Sequence, residues 1–281
     1  MGQSYTAYGL RFGLRSNDPA ALARAVPHLP LGWQPAPTDN DTEDTVDTDV
    51  ASEVDILYSL RLAPPSKRQG QRHYHLLYCG SALIARTLEL LPLLIAFERH
   101  AELLTAFRAQ DCLFVHAGVV GWQGRAILIP GRSMTGKTTL VKALVEAGTT
   151  YYSDEFAVLD KEGRVHPYPL PLSLRGENGH SACKTPVETL GGQIGVEPLP
   201  VGLVIVTEYQ PEATWRPRKL TPGQALLSLM DNTVAARRNP AHSMPILKQA
   251  VTGVITLKSK RGEAAEVVST LLSQLNQPRW P

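Results

Sequence analysis

The chain has 281 residues, 43% of them apolar, with 28 Lys and Arg against 26 Asp and Glu for a formal net charge of +2. That length suits one large domain or two modest ones with ample core, and the near balance of charge gives no reason to expect nucleic acid or an anionic membrane surface as partner. The three cysteines, Cys79, Cys112 and Cys183, form no C-x-x-C pair, which argues against a disulfide framework or a cysteine metal site and favours a reducing, cytoplasmic setting.

The first part of the chain, 1–109, reads as a smaller α+β domain. Its pattern predicts a strand over 8–14, a short helix over 19–25, strands over 54–62 and 73–78, and a long helix over 88–107. Pro92 falls near the start of that last helix, where proline is tolerated best. The segment 39–49 carries Asp39, Asp41, Glu43, Asp44, Asp47 and Asp49 among threonines. It lacks the Gly and closing Glu of the EF-hand spacing, so it reads as a solvated acidic loop rather than a calcium site. No stretch is apolar enough to span a membrane, and the polar residues after Met1 do not resemble a secretory signal.

The second part, 110–281, is strand-rich. Strands over 113–120 and 125–130 flank Gly121-Trp122-Gln123-Gly124 and predict a hairpin. The second strand runs into Gly131-Arg132-Ser133-Met134-Thr135-Gly136-Lys137-Thr138, which fits G-x-x-x-x-G-K-[ST] at every required position. A helix follows over 138–147, ended by Gly148. A strand feeding a glycine turn that opens a helix points several N–H groups and the positive helix end at one spot, which suits a polyphosphate. On this reading Gly131, Ser133, Met134, Thr135, Gly136, Lys137, Thr138 and Thr139 hold a nucleotide. Lys137 would reach the outer phosphates and the Thr138 hydroxyl would take a place on Mg²⁺. The alternative is an ordinary glycine-rich turn. Beyond it, strands over 156–159 and 164–168 flank Asp160-Lys161-Glu162-Gly163 as a second hairpin, and 201–207 is an apolar run typical of a central strand. A helix over 223–237, a strand over 254–257 and a closing helix over 263–275 complete the pattern. Hairpins interleaved with a phosphate-loop unit depart from strict βαβ alternation.

Three pieces and their spacing carry a family resemblance: His116-Ala117 on the strand before the loop, the loop itself, and Ser153-Asp154-Glu155 after the helix. His116 stands 21 residues before Lys137, and Asp154 stands 17 after it. Together with His166-Pro167-Tyr168-Pro169-Leu170-Pro171-Leu172-Ser173-Leu174-Arg175, they make the segment 116–175 resemble the catalytic domain of HPr kinase/phosphorylase, a bacterial serine kinase. It is more similar still to the HPr-kinase-related proteins found with peptide-tailoring genes. The resemblance runs over 110–260, is specific near the loop and loose beyond Arg175, and does not extend to the first hundred residues. It implies a P-loop kinase domain with a phosphoenolpyruvate-carboxykinase-like mixed sheet. It implies ATP, with GTP as the alternative, and Mg²⁺ as cofactors. The acceptor it implies is a serine hydroxyl of a peptide, protein or small molecule. It calls for no nucleic acid and no membrane, and it is compatible with a homo-oligomer.

The residues also make chemical sense unaided. A carboxylate at a strand end beside a phosphate loop is placed to handle metal or nucleophile, and an attacking hydroxyl needs an acceptor for its proton. The resemblance gives the base role to Asp154 and a metal or positioning role to Glu155, where the family has a second Asp. The other reading is two carboxylates in a solvated turn. His116 is either a packed core histidine or a donor near the transferred group. Arg175 is either an exposed loop cation or one that neutralises the phosphoryl charge. Lys184, Arg237 and Arg238 are weaker candidates for substrate contacts. Pro222-Gly223-Gln224-Ala225 stands where the HPr enzymes carry Pro-Gly-Arg-Asn, so the missing cation points to a kinase that works forward only. A different class of reading is a nucleotide-binding regulator or assembly factor that hydrolyses ATP slowly or not at all.

Overall fold

The computed structural model describes residues 2–37, 54–64, 72–175 and 182–275. The acidic segment 39–49 therefore lies outside the described residues. The chain divides into two compact units, Met1–Asp111 and Cys112–Pro281, and both are mixed α/β.

The first unit contains β1 (Gly2–Ala7), β2 (Leu10–Ser16), α1 (Pro19–Ala25), β3 (Gln34–Pro35), β4 (Ile56–Arg61), β5 (His75–Cys79), β6 (Ala82–Thr87) and α2 (Leu90–Arg108). Among the described residues its strands form one sheet in the order β3-β1-β2-β4-β5-β6, antiparallel except for the parallel pair β2–β4. The strand predicted over 8–14 is corrected: Tyr8 and Gly9 have φ of 52° and 77° and turn the chain between β1 and β2. Two consecutive positive φ values are the signature of a tight hairpin turn, which the apolar run around Leu10, Phe12 and Leu14 disguises. Those three side chains are buried with Tyr58, Leu60 and Leu77 against Leu93, Leu94, Phe97 and Ala101 of α2. Phe12 stacks on Trp33 with ring centroids 3.8 Å apart. Helix α1 starts where Asp18 accepts from the Ala20 N–H and Pro19 occupies the first turn.

The second unit contains β7 (Leu113–Trp122), β8 (Arg125–Pro130), α3 (Lys137–Glu146), β9 (Thr150–Ser153), β10 (Phe156–Leu159), β11 (Arg164–His166), β12 (Leu172–Arg175) and β13 (Ala182–Thr185). It continues through β14 (Gln193–Ile194), β15 (Leu199–Tyr209), β16 (Arg218–Lys219), α4 (Pro222–Met230), α5 (Pro240–Val251), β17 (Ile255–Arg261) and α6 (Ala264–Leu275). The main sheet runs β14-β9-β7-β10-β11-β15-β17-β16, with β8 between β7 and β15, while β12 and β13 form a separate hairpin. Strands β8, β15 and β17 are mutually parallel. Alternation along β8 sorts the core: Ala126 and Leu128 pack toward α4 and α5, whereas Ile127 and Ile129 pack toward α3 and α6. Apolar layers therefore cover both faces of the sheet.

The helix predicted over 223–237 is also corrected. Helix α4 ends at Met230, because the next residues are drawn onto β7: the His116 N–H bonds the Asn232 carbonyl at 2.7 Å and the Val234 N–H bonds the Phe114 carbonyl at 3.1 Å. Pairing with a neighbouring strand overrides local helix propensity here. Helix α5 runs through Pro245, although proline in a helix interior costs about 3 kcal/mol.

Candidate functional site

The carboxyl ends of the three parallel strands point at one place. β8 ends at Pro130 and leads into the 131–136 loop, and β15 and β17 end beside that loop at Tyr209 and Arg261. This is the side of a parallel sheet on which ligands bind. The loop closes on itself: the Arg132 carbonyl accepts from the Thr135 hydroxyl at 2.9 Å and from Lys137 Nζ at 3.0 Å. Met134 sits in the left-handed region at φ 75° with its side chain exposed, an unusual conformation for a non-glycine residue and one that gathers at ligand sites. Gly136 caps α3 at φ 83°, and a Cβ there would lie 2.7 Å from Arg261 Nη2. Both the torsion and the close approach require glycine. Lys137 is only 7% exposed, and burial pulls its ammonium below the ordinary lysine value, partly offset by the negative charge of Glu155 and Asp154. Ser133 and Thr139 are exposed, on the loop and on the first turn of α3.

Asp154 and Glu155 interrupt an otherwise continuous ribbon. β9 and β10 both lie antiparallel to β7, with Ser153 opposite Val119 and Phe156 opposite His116. The acid pair falls in the gap, where the Glu155 carbonyl still accepts from the Ala117 N–H. Asp154 is 4% exposed. Its carboxyl oxygens accept from the Tyr151 hydroxyl at 3.1 Å and from the Ser173 N–H at 3.5 Å, and the Thr138 hydroxyl also bonds to it. Burial is the dominant cause raising its carboxyl above the ordinary range; the three hydrogen bonds oppose it. The Tyr151 hydroxyl also faces the Leu170 carbonyl at 2.6 Å. Its single proton is divided between two acceptors, and the bond to Asp154 is the longer of the two.

Glu155 is different. Its half-exposed carboxylate meets His116 Nε2 at 3.1 Å, and this hydrogen bond is the main cause holding its carboxyl below the ordinary range. His116 Nδ1 faces the Gly131 carbonyl at 2.8 Å. His116 therefore ties the first residue of the loop to the acid pair.

The structure thus brings together Gly131, Thr135, Gly136, Lys137, Thr138, His116, Asp154 and Glu155. Arg175 ends β12, its backbone paired with Ala182, and in the same hairpin Ser173, which donates to Asp154, stands opposite Lys184. Arg237 and Arg238 lie exposed on the turn after α4. Gln224 is spoken for locally: it accepts from the Thr221 N–H while Thr221 Oγ1 accepts from the Gln224 N–H, a capping box that starts α4. Reading the sequence missed Tyr151, Tyr209 and Arg261. A tyrosine three residues before an acid and an arginine closing a strand carry no local signal.

Among the described residues no group of three or more His, Cys, Asp or Glu could hold a metal ion. A magnesium ion does not need one, since it is commonly held by one or two carboxylates, a hydroxyl and substrate phosphates. Thr138, with Asp154 bonded to its hydroxyl and Glu155 next in sequence, is a donor set of that kind.

No protein-family model and no curated protein matches the chain. Among solved structures it is similar to the HPr(Ser) kinase/phosphatase from Coxiella burnetii, at 16% identity over 58% of this chain and 95% of that one, with a TM-score of 0.38. At that TM-score the similarity says nothing of activity. Among the described residues, no helix is long and apolar enough to cross a membrane.

Proposed function

We propose that this protein is a kinase that passes the γ-phosphoryl group of ATP to a serine hydroxyl of a peptide, protein or small molecule. The observation that carries the reading is one constellation: a buried Lys137 at the start of α3, and a buried Asp154 bonded to the hydroxyl of Thr138, the very next residue. The N–H groups of the loop and the Lys137 ammonium would hold the phosphates. Thr138 and Glu155 would hold Mg²⁺, which would supply charge neutralisation for the phosphates. Asp154 would accept the serine proton as the oxygen attacks phosphorus and the bond to the leaving ADP oxygen breaks. A carboxyl raised by burial is the better base for that task. His116 would hold Glu155 and the loop entrance in register.

A second assignment within the same reading exchanges the acids. The bond between Thr138 and Asp154 favours Asp154 as the metal partner, leaving Glu155, steadied by His116, beside the acceptor. Gln224, committed to its helix cap, supplies no cation for phosphorolysis, so the enzyme works in the forward direction.

The test is to incubate the protein with γ-labelled ATP and Mg²⁺ against a panel of serine peptides and free serine. Label should move to an acceptor hydroxyl, and Asp154→Asn should slow transfer by roughly a hundredfold or more while ATP affinity stays within a few-fold. Transfer near the wild-type rate in that variant would move the base role to Glu155. An absence of transfer to every acceptor, with ATP bound, would favour a nucleotide-binding regulator.

A further inference from the structure

Arg261 is the largest fully buried side chain described, at 1% exposure, yet among the described residues no carboxylate lies within salt-bridge distance of it and its Nε finds no acceptor. Its charge is met only by the more distant Glu263 and by the Tyr209 ring, whose centroid is 5.8 Å from Cζ. Burying a guanidinium without a close counter-ion is costly, so its position calls for a reason. Its two terminal nitrogens show where it works: Nη1 donates to the Gly262 carbonyl at 2.9 Å and Nη2 to the Gly136 carbonyl at 2.7 Å, across 125 residues of sequence. One peptide earlier, the Tyr209 N–H donates to the Thr135 carbonyl at 3.1 Å. The carbonyls of two consecutive loop peptides are therefore held from the ends of β15 and β17, and the Gly136 carbonyl also accepts from the Leu140 N–H at 3.1 Å as the first bond of α3.

In a trans peptide the carbonyl and the following N–H point opposite ways. Anchoring the Thr135 and Gly136 carbonyls on the strand side aims the N–H groups of Gly136 and Lys137 away from it, at the mouth of α3. Two adjacent N–H groups aimed alike form an anion-binding nest. A cation on a carbonyl also polarises that peptide and strengthens its N–H as a donor.

We propose that Arg261 is a positioning residue for polyphosphate binding: it fixes and polarises the Gly136–Lys137 peptide, and the bound anion helps offset its buried charge. This rests on the nucleotide-binding reading of the same loop and adds to it a residue from the far end of the sheet. A guanidinium is suited to the place because it spans two carbonyls at once from a rigid plane.

The test titrates ADP into wild type, Lys137→Ala, Arg261→Met and Arg261→Lys by calorimetry, with circular dichroism confirming that each is folded. Arg261→Met should weaken ADP binding by about tenfold or more, and Arg261→Lys, which keeps the charge but not the fork, should recover part of the loss. A brace that only supports the fold would lower the melting temperature and leave ADP affinity unchanged. Wild-type affinity in folded Arg261→Met overturns the proposal. If Arg261→Met does not fold, Arg261→Lys carries the test, and wild-type affinity there overturns it equally. Failure of the underlying reading looks different: the wild-type protein would not bind ADP, or Lys137→Ala would bind it as well, and the inference would fall with it.

Discussion

At the scale of single residues, two neighbouring carboxyls are pushed in opposite directions, and pH separates them. Burial raises Asp154, while the hydrogen bond from His116 lowers Glu155. A raised carboxyl contributes its stability in full below the ordinary value and loses it as pH rises through the raised one. A depressed carboxyl contributes above the ordinary value and loses it as pH falls through the depressed one. Asp154→Asn, which keeps the shape without the buried charge, should therefore melt no lower than wild type at neutral pH. Glu155→Gln should melt lower there, with the gap closing as pH falls below the ordinary glutamate range. Thermal unfolding followed against pH checks both signs. An Asp154→Asn variant several degrees less stable at neutral pH would mean that Asp154 is held as a well-compensated anion. The loop and the acid pair were legible in the sequence because each is a contiguous string with chemically required residue types. Their partners were not, because Tyr151, Ser173 and Arg261 reach them only through packing.

At the scale of elements, boundaries were legible where a local device sets them. Helix α1 begins with an Asp cap followed by Pro, and α3 begins at a left-handed glycine; both devices are written in the sequence. Where tertiary contacts decide, the pattern misled: β7 captures residues 232–234 and cuts α4 short, and packing carries α5 through Pro245. The cap of α4 gives a direct check. Thr221 and Gln224 satisfy each other's N–H groups, so Thr221→Ala should cost about 1 kcal/mol of stability and leave nucleotide affinity unchanged. A loss of affinity in that variant would place the start of α4 in the binding site rather than in local support.

At the scale of the molecule, the second unit is a sheet clad on both faces by helices, and its parallel strands deliver three independent anchors to one loop. The apolar run over 201–207 made a central buried strand readable. The strand order was not readable, because hairpins such as β7–β8 and ribbons such as β9–β10 insert antiparallel neighbours among the parallel strands. The first unit has its own core of aromatic and aliphatic side chains, and the sequence carries no motif that assigns it chemistry. In the proposed function, the 131–138 loop would hold a nucleoside triphosphate with its outer phosphates on Lys137. Calorimetric titration of Mg²⁺·ATP into the wild-type protein and a folded Lys137→Ala variant tests this most directly. Measurable binding by the wild type and a loss of roughly a hundredfold or more in the variant are expected; equal affinity in the two would remove Lys137 from the phosphate site.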